Sequence, residues 1–256
     1  MLWLNVLEAN VRKVAIELRR YLPNTLSLLF TFYAVFFGLF LGVQFLGSPE
    51  NAAQGTPYII VNTVLWFLAL MAMQGIGWEI EQEATRGTLE QLYMSPVGAW
   101  RILLARMIGT VLANALVIAT MLVLAMLTAR QWLTFDLLTL VPVLLLTVAC
   151  MLGVGFMVAG LALMFKRIQA FLQIAQFIFL ALVSVPPFVG WLELLPVIQG
   201  SDMIRRTMIE GTSLLQFSPL DWLSLVLNAA VYFALGVFLY RLAEKRAMRL
   251  GLLGQY

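Results

Sequence analysis

The chain has 256 residues, of which 62% are hydrophobic and only 11% charged, and it contains no histidine. A soluble domain needs a larger charged surface, so this composition excludes one and indicates a polytopic membrane protein, a single transmembrane domain over residues 1–256. The net charge of +3 accompanies no basic stripe interleaved with aromatics, so we expect no nucleic-acid partner, and without histidine or buried carboxylates we expect no catalytic residue and no metal site.

Residues 1–22 are predicted to form an amphipathic helix that lies along the inner membrane surface. Its apolar residues recur at spacings of three and four, which is one stripe of a helix, and charged residues occupy the remaining positions. Such a helix rests at the interface with its apolar stripe in lipid. Pro23 is expected to end it before the first span.

Six apolar runs are long enough to cross the hydrocarbon core, which takes about 20 residues. The predicted transmembrane helices are residues 25–46, 58–78, 107–127, 137–165, 168–188 and 222–240. Because every charged residue falls in a loop or at the edge of a span, proton-relay pumps and voltage sensors are not favoured.

Basic residues near the membrane indicate which ends of the spans face the cytoplasm. If both termini are cytoplasmic, only Arg130, Arg205 and Arg206 of the 16 basic residues lie outside. The even number of spans and the charge bias therefore agree on one topology, that of a multi-pass protein of a bacterial-type cytoplasmic membrane. The remaining basic residues are also candidates for contact with membrane lipid.

The connection between the second and third spans, residues 79–106, is longer than a simple turn requires. Thr88 and Gln91 have the spacing of a capping box, which predicts a short helix that begins at Leu89. Gly87 is expected to break the helix that precedes this one. Ser95 followed by Pro96 is typical of the start of the next helix, because serine is a preferred N-cap and proline a preferred first helical residue. The apolar face of the short helix is predicted to consist of Leu89, Leu92 and Tyr93, with Glu90 and Gln91 toward water.

Polar side chains within the spans are costly in lipid and are candidates for lining a translocation path. They are Asn62, Gln74, Asn114, Gln173, Gln176 and Asn228. Hydrogen bonding between helices is the alternative role for these residues. Small residues indicate close packing: Gly38 and Gly42 form a GxxxG motif in the first span. In the fourth span, one side is expected to be thinned by Ala149, Gly153, Met157, Gly155 and Ala159.

Residues 189–221 are too polar for a seventh span and too apolar for a loose loop. Pro186 and Pro187 break the fifth span, and a re-entrant outer segment that dips into the membrane is one interpretation. A pair of interfacial helices that close the fold is the other.

Two stretches carry a resemblance to a known family. The pattern E-x-E-x-E-x-x-x-G-T-L-E-Q-L-Y-M-S-P-V, which begins at Glu79, resembles the cytoplasmic hairpin of type-2 ABC transporter permeases. Residues 196–211, PVIQGSDMIRRTMIEG, resemble that family's short outer helix before the last span. The resemblance covers most of the chain by topology, but its specific motifs are confined to these two stretches.

The resemblance implies an all-α membrane protein with six transmembrane helices, an N-terminal interface helix, a cytoplasmic coupling hairpin and a re-entrant outer segment. It implies that the hairpin inserts a coupling helix into a separate ATPase subunit, with Leu89, Leu92 and Tyr93 as buried anchors. Acidic residues at the end of the second span, Glu79, Glu81 and Glu83, would meet basic residues of that partner or serve only solubility. The residues assigned to ATPase binding are Gly87, Thr88, Leu89, Glu90, Gln91, Leu92, Tyr93, Met94, Ser95 and Pro96.

The implied assembly is a homodimer with two ATPase subunits. No phosphate loop of the form G-x-x-x-x-G-K-[ST] occurs in the chain, so ATP and Mg²⁺ are expected on the partner ATPase and no cofactor in this chain. Gly38 and Gly42 are candidates for the dimer contact. The expected function is export of an amphiphile such as a drug or lipid; export of a polysaccharide or glycoconjugate, a passive channel and a structural membrane subunit stay as alternatives.

Overall fold

The computed structural model describes residues 20–46, 49–95, 98–165, 168–185 and 190–250, together with Arg12 and Ile16. Within these ranges it leaves out the side chains of residues 46, 49–53, 84, 85, 89, 90, 169, 190 and 191. The interface helix predicted over residues 1–22 lies almost wholly outside the described residues. Pro23 lies in the first turn of the helix that follows, where its missing N–H leaves no hydrogen bond unmade.

The described residues form α-helices and short helical turns. The helices are α1 (Leu22–Leu46), α2 (Pro49–Thr85), α3 (Leu89–Tyr93), α4 (Ala99–Ala129), α5 (Leu137–Phe165), α6 (Gln169–Ser184), α7 (Ile198–Arg205) and α8 (Pro219–Arg249). A 3₁₀ turn (Gly190–Leu194) precedes α7, a π-helical turn (Arg206–Glu210) extends it, and a second 3₁₀ turn (Leu214–Gln216) leads to α8. Residues 190–218 are called the outer segment below.

Five of the described helices are long and apolar enough to cross a membrane, namely α1, α2, α4, α5 and α8. The predicted span over 168–188 corresponds to α6, which has 16 residues. A helix of that length reaches about 24 Å, short of the roughly 30 Å hydrocarbon core. The predicted residues 186–188 lie outside the described residues.

Three helices extend beyond the predicted spans. α2 continues to Thr85, α4 already begins at Ala99, and α8 runs on to Arg249. The predicted spans stopped at charged residues, but a helix can continue beyond the hydrocarbon core of the membrane. The connection between α2 and α4 is therefore only residues 86–98, called the hairpin below.

α5 is the central helix, packed against α8 along its length and against α2 on another side. A Cβ added to Gly153 would lie 2.3 Å from the carbonyl oxygen of Tyr232 in α8. A Cβ on Gly155 would lie 2.7 Å from the carbonyl oxygen of Ala72 in α2. The prediction that these glycines thin one side of the span was wrong, because two helical residues are about 200° apart. Gly153 therefore allows the close approach of α8, and Gly155 that of α2.

α1 is peripheral and packs on α2 and α4. The rings of Phe32 and Phe67 stack with centroids 3.9 Å apart, and the hydroxyls of Tyr33 and Thr128 lie 2.7 Å apart. Gly38 is exposed, and no atom lies within 4 Å of a Cβ built on Gly38 or Gly42. The GxxxG motif thus faces away from the described part of this chain.

Candidate functional site

The hairpin consists of the short helix α3 between two glycines with positive φ. Gly87 has φ 69° and Gly98 has φ 85°, a region that side chains with a Cβ rarely adopt. The break at Gly87 and the short helix from Leu89 are as the sequence predicts. The next helix begins at Ala99 with Gly98 as its N-cap, so the prediction that Ser95 and Pro96 start it was wrong. Pro96 itself lies outside the described residues.

The start of α3 is held by Glu83 rather than by a capping box. The backbone N–H of Thr88 donates to the carbonyl oxygen of Glu83 at 3.0 Å. In a capping box this N–H would instead donate to the side chain of Gln91. The Thr88 hydroxyl donates to Oε2 of Glu83 at 2.5 Å. The predicted reciprocal pair is replaced because the end of α2 brings a carboxylate within reach, and a charge-assisted bond is the stronger one.

The same carboxylate forms an ion pair with α4. Nη1 of Arg106 lies 2.6 Å from Oε1 of Glu83 and 3.1 Å from Oε2 of Glu79. The three side chains are between 12% and 24% exposed, so water screens these pairs less than it screens surface pairs. Glu79 and Glu83, which were considered as contacts to basic residues of a partner, therefore join α2 to α4 within the chain.

The apolar face of α3 packs inward. Leu92 is 6% exposed and belongs to the main hydrophobic core, and the hydroxyl of Tyr93 lies 2.9 Å from that of Tyr240 in α8. Leu92 is therefore covered by the bundle itself and Tyr93 is partly covered by it, while their role as anchors in a partner's cleft stays a prediction. The side chains of Leu89 and Glu90 are outside the described ones.

The outward face of the hairpin is a small mixed surface. Arg86, Gly87 and Gln91 are exposed, and Met94 is 82% exposed at the end of α3. A methionine held in water beside polar groups is an adaptable apolar contact for a partner. We call Arg86, Gly87, Gln91 and Met94 the outward face below.

A second contact joins the hairpin region to α8. The indole of Trp100, in the first turn of α4, lies beneath the guanidinium of Arg241 at 4.6 Å, and Arg101 approaches the same ring at 5.4 Å. Arg241 directly follows Tyr240, so adjacent residues of α8 contact both sides of the hairpin. Neither Trp100 nor Tyr240 was a candidate from the sequence, because a single aromatic in or beside an apolar run has no distinctive spacing.

The six polar candidates for a translocation path have different environments. Asn62, Gln74, Asn114, Gln176 and Asn228 are partly buried, and Gln173 is exposed. Oδ1 of Asn62 accepts from Arg205 at 3.3 Å, whereas the backbone carbonyl of Gln176 accepts from the Trp66 indole at 2.9 Å. Of these six, Asn62 and Asn228 thus have side chains engaged in hydrogen bonds between elements of the chain.

Asn228 binds the outer segment to α8. Its Nδ2 lies 3.0, 3.2 and 3.2 Å from the carbonyl oxygens of Glu193, Leu194 and Leu195. The last carbonyls of a helical turn lack partners within it, so this amide satisfies them. Oδ1 of Asn228 accepts from the Cys150 thiol at 3.0 Å.

The outer segment buries a charged cluster. Arg205 is 4% exposed. Its Nη1 donates to the carbonyl oxygen of Val183 and its Nη2 to that of Val185, both at the end of α6. The same Nη2 lies 3.4 Å from Oδ1 of Asp202. Arg206 binds the other carboxylate oxygen of Asp202 at 2.7 Å. Burial lowers the pKa of Arg205 and the Asp202 carboxylate opposes that effect. Arg205 therefore caps α6, as cations at a helix C-terminus do.

Two apolar grooves open on the surface of the bundle. One, of about 340 Å³, lies between α5 and α8 and has Arg246 on its lining. The other, of about 370 Å³, lies between α1 and α4, where the only polar side chains on its lining are Thr25 and Thr120. The lining of both grooves is mostly apolar, which favours hydrocarbon over a strongly hydrated solute.

Residues 43–238 match a family model described as ABC-2 family transporter protein. The matched range extends from the last turn of α1 into α8 and includes the hairpin and the outer segment, the two stretches that carry the resemblance. No curated protein and no solved structure matches the chain.

Proposed function

Because this chain belongs to the ABC-2 family of transporter proteins, we propose that it is the permease subunit of an ATP-driven exporter in a bacterial-type cytoplasmic membrane. Family membership implies association with ABC ATPase subunits. The proposed assembly has two copies of this chain, in contact near Gly38 and Gly42, and two ATPase subunits that bind ATP and Mg²⁺. Energy from hydrolysis then reaches this chain as a displacement of the hairpin.

The braced hairpin is the observation that carries the proposal. A helix that transmits force must not bend at its attachment, and α3 is attached to α2 through Thr88 and Glu83 and to the core through Leu92. Arg106 joins the ends of α2 and α4 beneath it. A displacement of α3 therefore moves two long helices together instead of being lost in a flexible loop.

The outward face supplies the proposed contact with the ATPase. Met94 and Gln91 project from α3 on the side that the bundle does not cover. The flanking positions Leu89, Glu90, Ser95 and Pro96 complete the proposed coupling surface. Leu92 and Tyr93 hold this surface in place from behind, while Gly87 and Thr88 form the turn that carries it.

We propose that the cargo is amphiphilic, such as a drug or a lipid. The apolar lining of both grooves supports this class, because a polysaccharide path requires many more polar and aromatic contacts. Membrane lipid is a further proposed partner of the apolar surface. Transport of a polysaccharide or glycoconjugate is the alternative, and it predicts that amphiphiles do not stimulate ATP hydrolysis by the complex.

The proposed orientation places the hairpin and both termini in the cytoplasm. The asymmetry of the basic residues supports it. Cysteine placed at the exposed positions 94 and 215 tests it in intact cells. The orientation requires that a membrane-impermeant thiol reagent modifies position 215 and spares position 94, and the reverse pattern contradicts it.

Co-purification tests the proposed function. An affinity tag on this chain is expected to recover an ATPase in fixed stoichiometry, and Met94→Glu is expected to weaken that recovery about ten-fold, because it places a charge in an apolar contact. Leu215→Glu is the matched control, since Leu215 is an exposed apolar residue of the outer segment. Equal recovery with both variants, or conductance by this chain alone in lipid bilayers, contradicts the proposal.

A further inference from the structure

We propose that α8 transmits displacement of the hairpin to the outer segment, with Tyr240 and Asn228 as positioning residues at the two ends of this route. The proposal rests on the proposed function, because it takes the hairpin as the point where an ATPase acts. It adds a route across the bundle and names the element that responds at the other side. Three contacts along α8 carry it.

The first contact lies at the hairpin. Tyr240 is 0% exposed, and its hydroxyl shares a hydrogen bond with Tyr93 in α3. The ring of Phe156 in α5 packs on the ring of Tyr240 at 5.5 Å, which limits the positions that Tyr240 can take. Because the phenol is enclosed, movement of Tyr93 must either move α8 or break the bond. Arg241, stacked on Trp100, adds a contact to the other side of the hairpin.

The second contact lies in the middle of α8, where its backbone touches that of α5. A Cβ on Gly236 would be 2.0 Å from the carbonyl oxygen of Gly153. Tyr232, Gly236 and Tyr240 recur every four residues and so follow one another along the side of α8 toward α5. Backbones at this distance cannot slide past each other without separation, so α5 and α8 move as one unit.

The third contact lies at the outer segment. Asn228 binds three successive carbonyls of residues 193–195, and the hydroxyl of Tyr232 donates to Leu194 at 3.1 Å. The amide of Gln199, in α7, reaches the carbonyl of Asp221 at 3.4 Å. The outer segment is therefore attached to the N-terminal half of α8. Asn228 and Tyr240 are about 18 Å apart along the helix axis.

The route has a defined end point in the outer segment. α7 is buried throughout and packs against α5, where a Cβ on Gly200 would meet Oγ1 of Thr147 at 2.0 Å. Arg205 then joins α7 to the carbonyls at the end of α6. A shift of α8 therefore acts on α7, which packs against α2, α5 and α6. In this position α7 can act as a gate.

The test uses the complex that co-purifies with the tagged full chain. A nitroxide spin label is attached after the substitution Leu215→Cys, a site that is 91% exposed, while the native Cys150 is 2% exposed and stays unlabelled. The measurement is the change in the spectrum of the label on addition of ATP and Mg²⁺, recorded beside the rate of ATP hydrolysis. The ligand is thus the ATPase's own, and no cargo has to be identified.

Tyr240→Phe is expected to reduce the spectral change about three- to ten-fold, since it removes one hydrogen bond of the route. ATP hydrolysis by this variant is expected to stay within about two-fold, because a residue acting on transmission leaves the chemical step intact. Tyr33→Phe is the matched control: it removes a phenol hydroxyl bonded at 2.7 Å between α1 and α4, away from the route. It should respond as the unsubstituted chain does.

Two further variants separate transmission from loss of folding. Tyr93→Phe combined with Tyr240→Phe should reduce the spectral change no more than either substitution alone, because both hydroxyls belong to one bond. Tyr232→Phe, a milder change at the outer end than Asn228→Ala, should reduce it as Tyr240→Phe does. A normal spectral change in Tyr240→Phe and Tyr232→Phe overturns the proposal, and so does an absent change in a complex that hydrolyses ATP. Failure to recover any ATPase overturns the proposed function instead, and this proposal with it.

Discussion

Arg106 and Glu83 join the ends of two long helices directly beneath the hairpin, with Nη1 and Oε1 2.6 Å apart. The second carboxylate oxygen of Glu83 accepts from Thr88, the residue that precedes α3. The carboxylate of Glu83, at the end of α2, therefore binds both α4 and the hairpin. The position of the hairpin depends on this group more than on its own five-residue helix, which is too short to be stable alone.

Arg106→Gln is expected to loosen the hairpin. The substitution leaves the partly buried carboxylates of Glu79 and Glu83 without their cation, so we expect a loss of about 2 kcal/mol in the free energy of unfolding. The measurement is thermal unfolding in detergent, with the rate of trypsin cleavage after Arg86 as a local readout. Arg101→Gln is the control, because Arg101 is exposed. Equal effects of the two substitutions would show that the ion pair holds nothing.

Gly236→Ala is expected to separate α5 from α8. The new Cβ would lie 2.0 Å from a backbone oxygen of Gly153, which cannot move as a side chain can. We expect a loss of about 3 kcal/mol, at the upper end for overpacking, and a lower yield of folded protein. Gly55→Ala is the control, since its Cβ would meet its nearest neighbour at 3.9 Å. Unchanged thermal stability of Gly236→Ala would refute the close contact.

Gly38→Leu is expected to weaken association between copies of the chain without unfolding either copy. Nothing lies within 4 Å of a Cβ at Gly38, so the monomer accepts a side chain there. If the GxxxG motif forms the dimer contact, the bulk should weaken dimerisation about ten-fold. Cross-linking of purified protein across a dilution series measures this, with Leu116→Ala, on an exposed position of α4, as the comparison. Unaltered dimerisation by Gly38→Leu would place the contact elsewhere.

Arg205→Gln is expected to cost more stability than Arg206→Gln. Arg205 is 4% exposed and donates to the carbonyls at the end of α6 and to Asn62, whereas the side chain of Arg206 is 42% exposed and forms an ion pair with Asp202. We expect losses of about 3 kcal/mol for Arg205→Gln and under about 1 kcal/mol for Arg206→Gln. Thermal unfolding of both variants decides this. The reverse order would contradict the capping role of Arg205.

Much of the helical architecture follows from local patterns. Apolar runs predicted six spans, and five of them correspond to described helices that are long enough to cross a membrane; the start of the fourth predicted span at residue 137 coincides with that of α5. The family resemblance, which rests on the hairpin pattern and on residues 196–211, is confirmed by the match over residues 43–238. One local signal was missed: Ser218, Pro219 and Asp221 form a capping box with proline at the first position, and they set the start of α8 three residues before the predicted span.

The direction in which side chains face was not predictable in the same way. Amphipathic spacing puts Leu92 and Tyr93 on one face of α3, but spacing does not say whether the bundle or a partner covers that face. Likewise, Glu83 and Arg106 are 23 residues apart, and only the antiparallel approach of α2 and α4 brings them within 2.6 Å. Asn228 was a reasonable candidate for a path because its amide is costly in lipid, and the outer segment supplies the carbonyls that satisfy it.

The sequence by itself determined that this is a multi-pass membrane protein with a short helix between two long ones. The length of an apolar run, a glycine that breaks a helix and the spacing of apolar residues are all local features of the chain, which is why they could be recognised without the fold. The tertiary structure alone decided that α5 lies between α2 and α8, that the hairpin is braced by Glu83 and Arg106, and that α8 touches both the hairpin and the outer segment. These are contacts between residues distant in the chain. They depend on which helix faces meet, and in a chain that is apolar on nearly every face, hydrophobicity does not distinguish those faces.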